Sequence, residues 1–191
     1  EGHAELSNVS SSGGGGAFNN SSASSSVSLG SLSATDVSTS GGPGGVIQSS
    51  GGISIQGHSE LLRVEATTAP GGAFRDYSSG GITLGTISAN TVSSGSIGGV
   101  IATTGPAVIE SITSNNISAG GPGGVIYGLE DVTVGEVNIS NSLANGPGGV
   151  IYTLGDLEIG SGTFTGGVFT STSPGAAIYS TGQVSLTDVQ I

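Results

Sequence analysis

Two aspartates and three tyrosines return at fixed intervals, and they are the side chains of this sequence best placed to do chemistry. Asp131 and Asp156 lie 25 residues apart, with Glu130, Glu136 and Glu158 close by. If that interval carries them to equivalent places on neighbouring coils, the two carboxylates face each other at strand spacing and repel. Calcium relieves such repulsion with hard oxygen ligands, so Asp131, Asp156, Glu130 and Glu158 form the candidate metal site. A solvated acidic face is the simpler account, because the Ca²⁺-binding Gly-Gly-x-Gly-x-Asp repeat is missing. Paired carboxylates also suit glycoside hydrolysis. Against catalysis, the chain has no Lys, Arg63 and Arg75 fall two or more repeats from the acids, and His3 and His58 are distant. The expectation is a non-enzyme, with no cofactor beyond that calcium.

Tyr127, Tyr152 and Tyr179 each follow the same short apolar motif in three consecutive repeats. Pointing outward, they would stack vertically into a strip that docks sugar rings or a neighbouring rod. A self-stacking ladder is again the simpler reading, each ring pair being worth about 0.5–1.5 kcal/mol. Thr67-Thr68, Thr103-Thr104, Thr113 and Thr133 share no common repeat position, so no regular threonine lattice for ice forms.

What must position these residues is a repeat running through all 191 residues. Gly15-Gly16-Ala17-Phe18 is followed by Gly44-Gly45-Val46-Ile47, Gly71-Gly72-Ala73-Phe74, Gly98-Gly99-Val100-Ile101, Gly123-Gly124-Val125-Ile126, Gly148-Gly149-Val150-Ile151 and Gly175-Ala176-Ala177-Ile178. The spacings are 29, 27, 27, 25, 25 and 27 residues, and a period that steady marks a solenoid. After six of the seven tetrads comes strict period-two alternation: Val27/Leu29, Ile53/Ile55, Ile82/Leu84, Val132/Val134, Leu157/Ile159 and Val184/Leu186. That is the signature of a half-buried strand. A third, looser segment carries Leu32/Ala34, Leu62/Val64, Ile87/Ala89, Ile112 with Ile117, Val137/Ile139 and Phe164. Gly supplies the corners, and Pro43, Pro122 and Pro147 fix φ just before the glycine pair.

The expected fold is therefore all-β: a parallel β-helix of about seven coils of 25–29 residues, three short strands per coil, forming one domain over residues 1–191. Right-handedness follows from the handedness of parallel crossovers. The interior would hold one ladder of Phe18, Ile47, Phe74, Ile101, Ile126, Ile151 and Ile178, beside a small column of Ala17, Val46, Ala73, Val100, Val125, Val150 and Ala177.

Composition agrees with a folded rod rather than a disordered chain. Apolar residues make up 34% and sit at fixed repeat positions, while only 8% of residues are charged. A formal charge of −11 repels nucleic acid and anionic lipid. No apolar run approaches the ~20 residues of a membrane helix, so neither nucleic acid nor membrane insertion is expected. Without cysteine there is no disulfide framework and no thiolate metal site. Absence of Lys, few charges and abundant Gly, Ser and Thr suit an extracellular or cell-surface location. A start at Glu1-Gly2 rather than Met reads as a mature or excised product.

The tetrads resemble the repeats of polymorphic outer-membrane proteins and related autotransporter passengers, which alternate Gly-Gly-Ala-(Ile/Leu/Val) with Phe-x-x-Asn. The first motif matches at Gly15–Phe18, Gly71–Phe74 and the four Gly-Gly-Val-Ile copies. The second survives as Ile87-Ser88-Ala89-Asn90 and Ile112-Thr113-Ser114-Asn115, whereas other coils carry Asp36, Arg63, Ser140 or Gly167 there. The resemblance implies a β-helix, a surface location and an adhesive role.

At the ends, no charged cover, cap helix or terminal Pro shields the coils, although bare edges invite pairing. The tail through Leu186, Val189 and Ile191 still alternates, and the head through Leu6 and Val9 resembles a third segment. Joining tail to head gives (191 − 176) + 16 = 31 residues between marks, close to the internal period. The functional expectation is a head-to-tail homopolymer, a filament or surface-fibre subunit stacked through Leu6, Val9, Leu186, Val189 and Ile191. The competing expectation is an adhesin that binds host or matrix glycans through its outer faces.

Overall fold

A computed structural model describes residues 2–13, 15–165, 175 and 177–191. Gly167 and Ala176, named above, lie outside them. Among the described residues the chain forms seventeen β-strands and no helix, all paired in parallel. Two sheets wrap one interior, the β-solenoid of about seven turns that the tetrads predict.

The first sheet consists of seven three-residue strands, each starting at the large residue of a tetrad: β2 (Phe18–Asn20), β5 (Ile47–Ser49), β8 (Phe74–Asp76), β10 (Ile101–Thr103), β12 (Ile126–Gly128), β14 (Ile151–Thr153) and β16 (Ile178–Ser180). Their register places Phe18 on Ile47, Ile47 on Phe74, and so on through Ile151 on Ile178. The predicted ladder is thus the observed one.

The second sheet stacks β1 (His3–Ser11), β4 (Ser31–Thr39), β7 (Ser59–Ala66), β9 (Ile82–Ser94), β11 (Ala107–Ala119), β13 (Val132–Ala144), β15 (Leu157–Thr165) and β17 (Val184–Gln190) in chain order. The short β3 (Val27–Leu29) and β6 (Ile53–Ile55) lie beside this path and lead onto β9. Here the sequence expectation needs correcting. Second and third segments are separate strands only in the early coils; in β9, β11 and β13 they fuse into single strands of thirteen residues. One residue, Gly85, Glu110 or Gly135, makes the corner and drops out of the pairing register; Gly30 alone separates β3 from β4, and only between β6 and β7 is the turn longer, three residues. The coil begun by the fourth tetrad also has an inward pair that alternation did not reveal, Ala107 and Ile109, either side of the exposed Val108.

Another corner explains why the third segment looked irregular. Asn8, Asp36, Arg63, Thr91, Asn116 and Asn141 all have φ between 52 and 57°. Each sits outside the pairing register and stands one rung above the last. One left-handed residue slips the alternation by one, so inward residues flank it three apart rather than two. Leu61 and Val64 are therefore the core pair, each 1% exposed. Leu62 belongs to an outward column and is only half-buried; assigning it to the interior was an error of phase.

The tetrad glycines divide two tasks. The first of each pair, such as Gly71 and Gly98, has φ of 63 to 72°. The second, such as Gly72 or Gly99, passes so close to the coil above that a Cβ would collide with the carbonyl oxygen of Gly99 or Gly124. Glycine there sets how closely coils stack. Pro43, Pro70, Pro122 and Pro147 offer their carbonyls to the first-glycine N–H of the coil below, at 2.9–3.2 Å.

Candidate functional site

The outward column of the three-residue sheet runs Asn19, Gln48, Arg75, Ala102, Tyr127, Tyr152, Tyr179. The three tyrosines do stack: adjacent ring centroids are 5.0 Å apart, with interplanar angles of 2° and 6°. The contact is a consequence of rung spacing, since parallel strands ~4.8 Å apart hold identical side chains at stacking distance. Burial pushes the Tyr127 hydroxyl pKa up, against an opposing pull from Arg75. Burial also raises Tyr152, reinforced by its two tyrosine neighbours. Stacking has a chemical cost for any sugar platform. Both faces of the Tyr152 ring are turned to its neighbours, so the strip presents ring edges and hydroxyls outward.

The acidic pair lies at one repeat position, as its spacing implies, and its carboxylates are already employed. Asp131 Oδ1 accepts the Asp156 N–H at 2.9 Å, and Asp156 Oδ1 accepts the Gln183 N–H at 2.7 Å. Each aspartate thus caps the turn of the coil above. Gly155 and Gly182 cross directly over these carboxylates, where a Cβ would not fit. An open recess of about 290 Å³ borders Asp131, Asp156 and Glu158. Among the described residues no three His, Cys, Asp or Glu side chains are grouped to hold a metal ion.

The terminal rungs are the open surfaces. In the last rung Val184 is 49% exposed, Leu186 39% and Ile191 72%, while inward residues of the central coils are at 0–3%. Ala177, Ile178, Tyr179, Val184, Leu186 and Ile191 line an apolar recess of about 590 Å³ on this side. At the other end Ala4, Leu6, Val9 and Phe18 are only partly buried against the core, and Val189 is likewise partly buried in the last rung.

Sequence reasoning missed one cluster, Arg75-Asp76-Tyr77, in the only coil that places charges straight after its tetrad. Asp76 is fully buried at a strand end where other coils carry Ser49, Thr103, Thr153 or Ser180. It accepts the Gly52 N–H (3.1 Å), the Ser78 N–H (3.1 Å), the Ser78 hydroxyl (2.9 Å) and the Thr103 hydroxyl (3.3 Å). Burial nonetheless raises its pKa above the ordinary 3.8, outweighing those donors. The column to which it belongs caps turns in other coils too: Ser49, Thr103, Thr153 and Ser180 each take the N–H two residues on, at 3.1–3.2 Å.

The histidines serve the same vertical logic. His3 Nδ1 meets the Ser31 hydroxyl at 2.7 Å, and His58 Nδ1 meets that of Thr86 at 2.9 Å, each one rung on. Comparison with known proteins gave no match to any family model, curated protein or solved structure.

Proposed function

We propose that this chain is a non-catalytic structural element of an extracellular or surface assembly, a rigid β-solenoid lengthened by stacking on further copies of itself. The supporting observation is the contrast between interior rungs at 0–3% exposure and a last rung whose inward column stands open at Val184, Leu186 and Ile191. Free ladder groups beside an apolar recess are a template for another parallel strand. The first rung offers a partner of matching phase. Ala4 leads the inward column that runs through Leu32, Ser59, Ile87, Ile112, Val137 and Gly162 to Val189. His3–Leu6 and Asp188–Ile191 therefore carry the same coil positions. One of the two segments yields its place when copies join. Asp131 and Asp156 are engaged in caps and His3 and His58 in rung-to-rung contacts, which supports the non-catalytic part of the reading.

Electron microscopy with sedimentation velocity over a range of concentrations tests it. Rods longer than the ~34 Å of a single eight-rung stack, growing with concentration and abolished by Val189→Pro, are the expected result. Monodisperse monomer at high concentration of the unaltered chain overturns the proposal, whatever the variant does. A glycan-binding adhesin is the competing class. The tyrosine strip supports it poorly, since stacking covers both faces of Tyr152 and one face each of Tyr127 and Tyr179, so the strip offers no continuous aromatic platform.

A further inference from the structure

A buried guanidinium needs a counter-charge, because desolvation costs several kcal/mol per ion unless a partner offsets it. The chain has two arginines. Arg63, although exposed, has such a counter-charge: it grips Asp36 of the coil below through Nε and through Nη2, the latter at 2.8 Å. Arg75 does not. It is only 7% exposed, its Nε and Nη1 are buried without any hydrogen-bond acceptor, and no carboxylate lies within ion-pair distance among the described residues. Asp76, next in sequence, spends its oxygens on Gly52, Ser78 and Thr103 instead. Gln48, one rung below in the same outward column, leaves its own amide oxygen buried and unpaired, and the two close no bond with each other. What covers the guanidinium is an aromatic ring: Tyr77 stacks on it at 4.3 Å. Tyr77 sits in the turn between β8 and β9, is 42% exposed, and stands apart from the tyrosine stack, so its outer ring face is free.

A desolvated cation with free donors, roofed by a ring that has one open face, is a receptor rather than a brace. We propose that Arg75 and Tyr77 bind the carboxylate of an acidic sugar on the outer face of the three-residue sheet. The guanidinium fork matches carboxylate and phosphate alike, but the chain's charge of −11 disfavours a dianion and selects a single negative charge. The free face of Tyr77 takes the C–H face of the sugar ring as the side chain swings to admit it. This site stands independently of end-to-end stacking.

With two arginines and no lysine, the arginine Nε–H region of a ¹⁵N–¹H spectrum holds two signals, and Arg63→Gln identifies which belongs to Arg75. The unaltered chain is titrated with sodium glucuronate, sodium acetate, glucose, phosphate and sodium chloride at constant ionic strength. Glucuronate is expected to move the Arg75 signal saturably, at a half-saturating concentration roughly tenfold below that of acetate, with glucose and chloride inert. Tyr77→Ala should bring glucuronate down to the level of acetate. Three results overturn the proposal: no saturable shift with either carboxylate, equal affinity for glucuronate and acetate, or tighter binding of phosphate. The first means that Gln48 satisfies the guanidinium in solution. Because the titration of the unaltered chain decides, a misfolded variant cannot obscure the answer.

Discussion

Six coils turn two described corners in the same left-handed backbone conformation, and the corners make opposite demands on sequence. At the tetrad corner, residues with φ of 63–77° are all glycine, because a Cβ on Gly44, Gly71 or Gly123 would strike the carbonyl three residues on. At the other corner, the described residues with φ of 52–57° are Asn, Asp, Arg and Thr. There the side chain leaves the coil and projects toward solvent. The backbone angle is a smaller constraint than what a Cβ would meet. A left-handed residue costs about 1–2 kcal/mol, which a well-packed rung can absorb, whereas a steric collision with backbone displaces the rung itself.

The largest effect should come from adding one carbon at the crowded corner. Gly99→Ala places a methyl against the Gly124 carbonyl and the Ile117 side chain, and both are fixed by the coil above. A loss of about 4 kcal/mol or more, seen as failure to fold or a collapsed denaturation midpoint, is expected. A freely tolerated Gly99→Ala would mean that coils can separate locally. Next comes the phase slip that the second corner imposes. Leu61→Ala, inside, should cost about 2–5 kcal/mol, and Leu62→Ala, in the outward column, about 1 kcal/mol or less. Urea denaturation of the pair reads this directly. Equal costs would mean that the left-handed residue at Arg63 is not where the alternation slips.

The same contrast decides what could be read from the residues alone. Glycine is required at the tetrad corner, so its spacing revealed the coil length, the Phe18-to-Ile178 ladder and the vertical alignment of Asp131 with Asp156. The second corner requires no residue type and left no mark. Its effect, a one-residue slip, made Leu62/Val64 look like an ordinary alternating pair. Fusion of the later strands was hidden for a different reason: Gly85, Glu110 and Gly135 turn the chain with one residue apiece, and a glycine between two apolar pairs reads as a break between strands. The aspartates were visible as a pair but not as caps, because their partners are backbone N–H groups of the next coil. Arg75 and Tyr77 recur nowhere else in their columns, and a periodic reading finds only what recurs.

At the second corner a side chain can be improved, which the first forbids. Thr91 is β-branched and left-handed at φ 57°, where Asn116 and Asn141 hold the equivalent places with a residue suited to that region. Thr91→Asn should stabilise by about 1 kcal/mol, measured as a rise in denaturation midpoint with an unchanged slope. A destabilised variant would show that the threonine hydroxyl, which donates to Asn90 at 3.2 Å, outweighs the backbone strain.

The smallest effects are in pH dependence, where buried and exposed aspartates should pull in opposite directions. Asp36, on the exposed corner, has its pKa lowered chiefly by the hydrogen bond from Arg63. Its contribution is present above the ordinary carboxylate value of 3.8 and disappears as pH falls through the lowered one. Asp76, at a buried strand end, has its pKa raised by burial. The folded state then holds a proton that the unfolded chain releases, so stability falls as pH rises from about 3.8 through the raised value. Asparagine carries no charge at any pH. The stability of Asp76→Asn relative to the unaltered chain should therefore climb across that window and level off above it. For Asp36→Asn the difference should shrink as pH drops below 3.8. Denaturation curves from pH 3 to 7 separate the two cases by the sign of the slope alone, even where hydrogen bonds lost by Asp76→Asn shift the whole curve. Matching slopes would mean that Asp76 is ionised as readily as an exposed carboxylate, and its place at the heart of the turn would have to be redrawn.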